Sequence, residues 1–113
     1  MRSYIFTVLA VGMVGVGTLA NAAEVHRVDQ KALNFSTPFL TIAPGDQITF
    51  SNSDKVNHWV VSSASDYLID SGDMAPGDNK TVTFKKFGAV DLLCNYHSEM
   101  TMTVFIRTAK KGK

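Results

Sequence analysis

The chain has one cysteine, Cys94, in 113 residues. No disulfide can form within it, and a small domain without disulfides leans on its core or on a bound metal. Net charge is nearly absent, with eleven basic residues against ten acidic ones. That balance says little about partners, and nothing in it suggests nucleic acid. Beyond residue 22 there is no long hydrophobic run, so the mature chain is expected to be soluble. Nor does that part show a convincing apolar period of 3.6 residues, which argues against amphipathic helices.

What is present begins with a leader. Met1-Arg2 precedes an apolar run from Tyr4 to Leu19, and Ala20-Asn21-Ala22 follows. A positive start, an apolar middle and an Ala-x-Ala site spell a secretory signal peptide over residues 1–22. Cleavage after Ala22 leaves one domain, residues 23–113, in the periplasm. Losing Arg2 makes that domain formally neutral. An uncleaved leader would anchor the protein to a membrane. The run is at the short end of the ~17–25 residues that span a bilayer, and Gly12, Gly15 and Gly17 weaken it as a helix. At the other end Arg107, Lys110, Lys111 and Lys113 cluster. They read as a solvated tail, or more sharply as a docking patch for an acidic partner.

The rest reads as short strands. Val25-His26-Arg27-Val28 alternates and is expected to be an edge strand, with His26 exposed on it. Phe39-Leu40-Thr41-Ile42 follows a break at Pro38. Ala43-Pro44-Gly45-Asp46 is a turn, since Pro presets the first central residue and Gly supplies positive φ at the second. Gln47-Ile48-Thr49-Phe50-Ser51 then alternates as a half-buried strand should. A polar loop delivers His58 to the mouth of Trp59-Val60-Val61, with Trp59 expected in the core. Tyr67-Leu68-Ile69 reads as a short strand. Ala75-Pro76-Gly77-Asp78 repeats the earlier turn ahead of Thr81-Val82-Thr83-Phe84. Val90 to Leu93 runs into Cys94, and Thr101 to Ile106 closes the domain with Met102, Val104 and Ile106 on one face. Short strands at regular spacing with Gly/Pro turns predict an all-β sandwich or barrel. Such a fold gathers distant strand ends at one pole.

Cys94-Asn95-Tyr96-His97-Ser98-Glu99-Met100 carries the chemistry. Thiolate, imidazole and thioether are the soft and borderline ligands that copper selects, and an electron-transfer copper site needs two His, one Cys and a weak axial Met. The stretch supplies three of the four groups. His58 is the leading candidate for the second imidazole, and His26 is spare. Were the leader cut after Ala23, a free amine at Glu24 with His26 third in line could wrap Cu(II) in a square plane. The bland alternative is a buried structural cysteine beside a surface histidine and a core methionine. Cys and His also serve zinc, but a Met ligand is unusual there.

Pro44-Gly45-Asp46-Gln47-Ile48-Thr49-Phe50-Ser51-Asn52, Asp70-Ser71-Gly72, Pro76-Gly77, Val82-Thr83-Phe84 and Gly88 are spaced as in one known family, as are Leu93-Cys94, His97, Met100 and Val104. On these motifs the mature chain resembles the cupredoxins, in particular the plastocyanin–amicyanin–pseudoazurin group. The resemblance implies an eight-stranded Greek-key β-sandwich holding one type 1 copper ion through His58, Cys94, His97 and Met100. The axial Met of the family precedes the strand valine by four residues. Met100 stands so to Val104 and Met102 does not, which leaves Met102 to the core. Family members commonly carry Asn after the first His and a small hydroxyl residue after the Cys. Here Trp59 and Asn95 hold those places, and Asn57 or Asn95 is the candidate substitute for the cross-link those groups make.

The function implied is a periplasmic carrier of single electrons between redox partner proteins, monomeric and without substrate turnover. In the family the edge of the second His passes the electron. That role falls to His97, on a rim formed by Tyr96, Met74 and Pro76 and made more polar by Ser98 and Glu99. The rival reading, with the same ligands, is a periplasmic copper chaperone or buffer. A metal-free structural sandwich is the third.

Overall fold

The computed structural model describes residues 22–108. Residues 1–21 of the signal-peptide reading, and Lys110, Lys111 and Lys113 of the basic tail, lie outside the described residues. Among those described there is no helix, and hence none long and apolar enough to cross a membrane.

Among the described residues eight strands make the fold: β1 (Val25–Lys31), β2 (Asn34–Phe35), β3 (Phe39–Ile42), β4 (Gln47–Asn52), β5 (Val60–Ser62), β6 (Asn79–Thr83), β7 (Gly88–Cys94) and β8 (Thr101–Ile106). One sheet has the order β2-β1-β4-β6 and the other β3-β8-β7-β5. From β2 onward successive strands change sheet until the β7–β8 hairpin. Two pairs are therefore parallel, β1 with β4 and β3 with β8, and the rest antiparallel. This is the all-β, cupredoxin-like Greek-key sandwich that the sequence implies.

Period-two alternation puts every second side chain on the inner face. β8 buries Met102, Val104 and Ile106, and β7 buries Val90, Leu92 and Cys94. Ile48 and Phe50 of β4 and Val28 of β1 meet them from the other sheet. The two Ala-Pro-Gly-Asp segments form the same turn. In each, the Asp N–H donates to the Ala carbonyl, at 3.0 Å in Ala43–Asp46 and 2.9 Å in Ala75–Asp78. The Asp carboxylate accepts the Ala N–H in return, at 3.0 and 2.8 Å. Gly45 and Gly77 have φ of 95° and 90°, which only glycine adopts readily.

Two strand expectations need correction. β1 is not an edge strand, because it lies between β2 and β4 and β2 takes the edge. The β1–β2 hairpin turns on Ala32 and Leu33, at φ 54° and 59°. Two positive φ values in a two-residue loop belong to a type I′ turn, which normally calls for Asn or Gly. Neither is present, so the hairpin carries no local signal. A tertiary contact replaces it, as the Asp54 carboxylate accepts the N–H groups of both Ala32 and Leu33. Tyr67-Leu68-Ile69 is likewise not a strand. Ser62 N–H donates to the Ile69 carbonyl, but Ile69 N–H turns to the Ser62 hydroxyl. With a side chain in the ladder, only an isolated bridge between Val61 and Asp70 forms.

Pairing fixes what meets at the poles. β1 and β4 run parallel, so the β1–β2 hairpin and the loop after β4 share one pole. Val60 of β5 pairs with Cys94 of β7, which brings the segment before β5 and the β7–β8 loop to the same place. The starts of β1 and β4 lie at the opposite pole.

Candidate metal centre

His58 sits between β4 and β5 with both backbone groups engaged. Its N–H donates to the Met74 carbonyl at 3.0 Å, and its carbonyl accepts from Met74 N–H at 2.8 Å. The side chain is fully buried. Its Nε2 lies 2.7 Å from an Asp54 carboxylate oxygen. Burial pushes the Asp54 carboxyl up, but hydrogen bonds from Leu33 N–H, His58 and Ala32 N–H outweigh it and hold the group below the ordinary value. Asp54 is thus an ionised acceptor, and Nε2 must be the protonated nitrogen. That leaves Nδ1 as the ring nitrogen facing Cys94 Sγ, 3.5 Å away.

The Cys94–Met100 loop folds back on itself. Cys94 N–H donates to the Met100 carbonyl at 3.0 Å, Met100 N–H to the His97 carbonyl at 2.9 Å, and His97 N–H to the Cys94 carbonyl at 3.2 Å. This compact loop brings His97 Nδ1 within 3.5 Å of Cys94 Sγ. The metal-binding atoms of His58, Cys94 and His97 all lie within 4.8 Å of one another. Bond lengths of roughly 2.0–2.3 Å to nitrogen and sulfur in a trigonal plane require Sγ and each nitrogen to stand about 3.7 Å apart. The side chains as placed fit a copper ion with little movement.

Met100 is 2% exposed, as is Met102. They differ in place. Met102 is in register with Leu92 within the β7–β8 ladder and packs in the core. Met100 precedes β8, and its backbone is bonded to both Cys94 and His97.

The two ligand loops are tied together through Asp73. Asn57 Nδ2 donates to this carboxylate at 3.0 Å and the Tyr96 hydroxyl at 2.6 Å. Asn57 thus takes part in a cross-link, but through an acidic intermediary, while Asn95 contributes its backbone N–H to the Trp59 carbonyl at 2.7 Å. Trp59 is half-buried rather than in the core. Its Nε1–H donates to Asp70 at 2.6 Å and its ring meets Tyr96 edge-on at 6.1 Å. An indole donor finds its partner at the surface, which keeps the ring there.

His97 is half-exposed, and the rim beside it differs from the expected one. Met74 is fully buried, because its backbone pairs with His58 and its sulfur accepts from buried Gln30 Nε2 at 3.5 Å. Leu33 takes the outer position, lining a crevice with His97, Ser98, Glu99 and Met100. Asp54, Asp73 and Leu33 are the site residues that sequence reasoning missed. Only Asp54 left a signal, as a carboxylate four residues before a ligand-type histidine.

His26 also departs from expectation. It is half-buried, and its Nε2 lies 2.9 Å from Asp46 Oδ2. The Glu24 N–H donates to the other Asp46 oxygen at 3.0 Å, and Val25 and His26 are paired along β4. A square-planar wrap by this backbone would have to break that pairing.

Comparison with known proteins agrees with this reading. No curated protein matches the chain in sequence. A purple cupredoxin from Nitrosopumilus maritimus superposes with a TM-score of 0.65 at 20% identity, over 73% of this chain and 99% of that one. A reduced amicyanin variant gives 0.67 at 25% identity, over 79% and 86%. Amicyanin from Paracoccus versutus gives 0.68 at 21%, over 74% and 81%. The family model described as copper binding proteins of the plastocyanin/azurin family matches residues 22–108. With a His-Cys-His group, buried but for the half-exposed His97, at the pole of a cupredoxin sandwich, the chain belongs to the plastocyanin/azurin family of copper binding proteins.

Proposed function

We propose that this protein is a periplasmic, monomeric electron carrier whose single type 1 copper ion is held by His58, Cys94, His97 and Met100. The observation that carries the reading is the preset donor triangle. His58 is locked from both sides, by backbone bonds to Met74 and by Asp54 on Nε2. Copper supplies the one-electron couple between Cu(II) and Cu(I) when bound. The protein's part is to hold thiolate and imidazole positions that suit both states, so that little reorganises on electron transfer, as preorganised polar groups do in catalysis. Buried Cys94 excludes water from the thiolate. His97, half-exposed between Leu33 and Tyr96, offers the edge through which a redox partner couples. Four protein donors leave no open position for a substrate, which supports a carrier rather than an enzyme.

The test is to load the mature protein with Cu(II) and record visible and EPR spectra, then measure electron self-exchange. An intense thiolate-to-copper charge-transfer band with narrow hyperfine splitting and fast exchange is expected. A pale tetragonal signal with Cys94 still reactive toward thiol reagents would overturn the ligand set. A blue site that exchanges electrons slowly but hands Cu(I) to an acceptor would assign the protein to copper delivery instead.

A further inference from the structure

Glu24, His26 and Asp46 bring metal-binding atoms within 4.8 Å of one another at the pole opposite the copper ligands. Glu24 immediately precedes β1 and His26 is its second residue, two positions on, so both lie toward one face. The Gln47 N–H bond to the Glu24 carbonyl and the pairing of Val25 with Gln47 set them beside Asp46. The Asp46 side chain is 8% exposed, that of His26 22% and that of Glu24 74%. The three line a cleft with Thr41, Pro44 and Arg107. Among the described residues lining the cleft Arg107 is the one cation besides His26, and its guanidinium lies over the Phe105 ring at 4.8 Å. Asp46 is charged in place. Burial raises its carboxyl, yet bonds from Glu24 N–H, His26 and Ala43 N–H outweigh that and hold it low.

We propose that Glu24, His26 and Asp46 form a second metal site, which takes a divalent cation of borderline hardness such as Zn(II) or Cu(II). One imidazole and two carboxylates suit such ions, and the lack of thiolate or thioether excludes Cu(I). The geometry is close to what binding needs. Metal–ligand bonds of roughly 2.0–2.2 Å in a tetrahedron separate N and O by about 3.4 Å. His26 Nε2 and Asp46 Oδ2, at 2.9 Å, must open by a few tenths of an ångström. Glu24 Oε1, 4.0 Å from Nε2, must close by less than one, and its exposed side chain is free to do so. The bound ion replaces the His26–Asp46 hydrogen bond, while Asp46 keeps its bonds to the backbone of Glu24 and Ala43. Water completes the shell.

The test uses protein loaded with a single equivalent of copper and freed of excess, so that only the thiolate site is filled, and titrates Zn(II) by calorimetry. One saturable equivalent is expected. Glu24→Gln and His26→Gln should each raise the Kd about tenfold or more, with the blue absorption unchanged. Glu24 is exposed and His26 half-buried, and these variants keep the Asp46 bonds to the backbone. A chain extended by one residue at the mature N-terminus should bind as tightly as the original. Absence of saturable binding below roughly millimolar Zn(II), indifference to both substitutions, or loss of binding on extension (which marks chelation by the terminal amine) would each overturn the site. None of these outcomes bears on the copper centre.

Discussion

Asp54 is the side chain on which His58 depends. It holds Nε2 and at the same time satisfies the backbone N–H groups of Ala32 and Leu33. Asp54→Ala should leave three donors without their partner. Ala32 and Leu33 are exposed and water can replace their bonds. His58 is buried, and leaving its Nε2–H unpaired costs about 1–3 kcal/mol, so urea denaturation should show a drop in stability. Copper affinity should fall about 10–100-fold, as for other carboxylates that orient a ligating histidine, and a competition titration against a chelator reads this directly. Asp54→Asn should restore part of the stability, since its amide oxygen still accepts from the turn. The two methionines separate by the same kind of reasoning. Met100→Leu is expected to alter the copper spectrum and reduction potential. Met102→Leu conserves volume in the core, should leave both unchanged, and should cost under about 1.5 kcal/mol in unfolding measurements. The reverse pattern would make Met102 the axial ligand.

At the scale of elements the β1–β2 hairpin is the strained piece. A non-glycine residue in the left-handed region costs roughly 1–2 kcal/mol, and Ala32 and Leu33 both adopt it. Leu33→Gly should therefore stabilise the apoprotein by about 1 kcal/mol and raise its melting temperature, while stripping an apolar contact from the rim beside His97. A slower reaction with redox partners despite higher stability would show that the turn's side chain serves the surface. β1 and β4 are further joined by Asp29, which accepts from the Ser51 and Ser53 hydroxyls at 2.7 and 2.8 Å. Burial raises this carboxyl, but those two bonds, the Gln30 N–H and Lys31 outweigh it, so the folded pKa lies below the ordinary 3.8. The stabilisation is fully present above that ordinary value and is lost as pH falls through the lower, folded one. Asp29→Asn should accordingly be less stable than the parent near neutrality, with the difference shrinking in acid below about pH 4. A constant gap across an acid titration of stability would refute this.

Across the whole molecule, copper binding and folding are one equilibrium. His58 and Cys94 are 36 residues apart and meet only because the sandwich closes. Copper should thus raise the unfolding midpoint. An ion free at a hundred times its Kd adds about 2.7 kcal/mol, and calorimetry of apo and loaded protein should show the shift. No shift would mean that the ion binds the unfolded chain as well. The opposite pole should respond independently, because β1 and β4 separate it from the copper ligands by their full length.

The sequence by itself determined the strands that alternate, the two Ala-Pro-Gly-Asp turns and the donor types in the Cys94–Met100 stretch. These are properties of residues close in the chain, where period-two burial, proline and glycine φ preferences and ligand softness act without reference to anything distant. The triangle of His58, Cys94 and His97 was legible as well, Cys94 and His97 from their donor types within one stretch and His58 as the leading candidate for the second imidazole, and the family resemblance implied the same three. Tertiary structure alone decided the rest. It set the interior place of β1, which hangs on a turn with no Asn or Gly to announce it, and the withdrawal of Met74 beneath His58. It also made Asp73 the tie between the ligand loops and gathered Glu24, His26 and Asp46. Each depends on which strand lies beside which, and strand pairing is a property of the closed sandwich, in which one carboxylate can hold a turn and a ligand that are far apart in the chain.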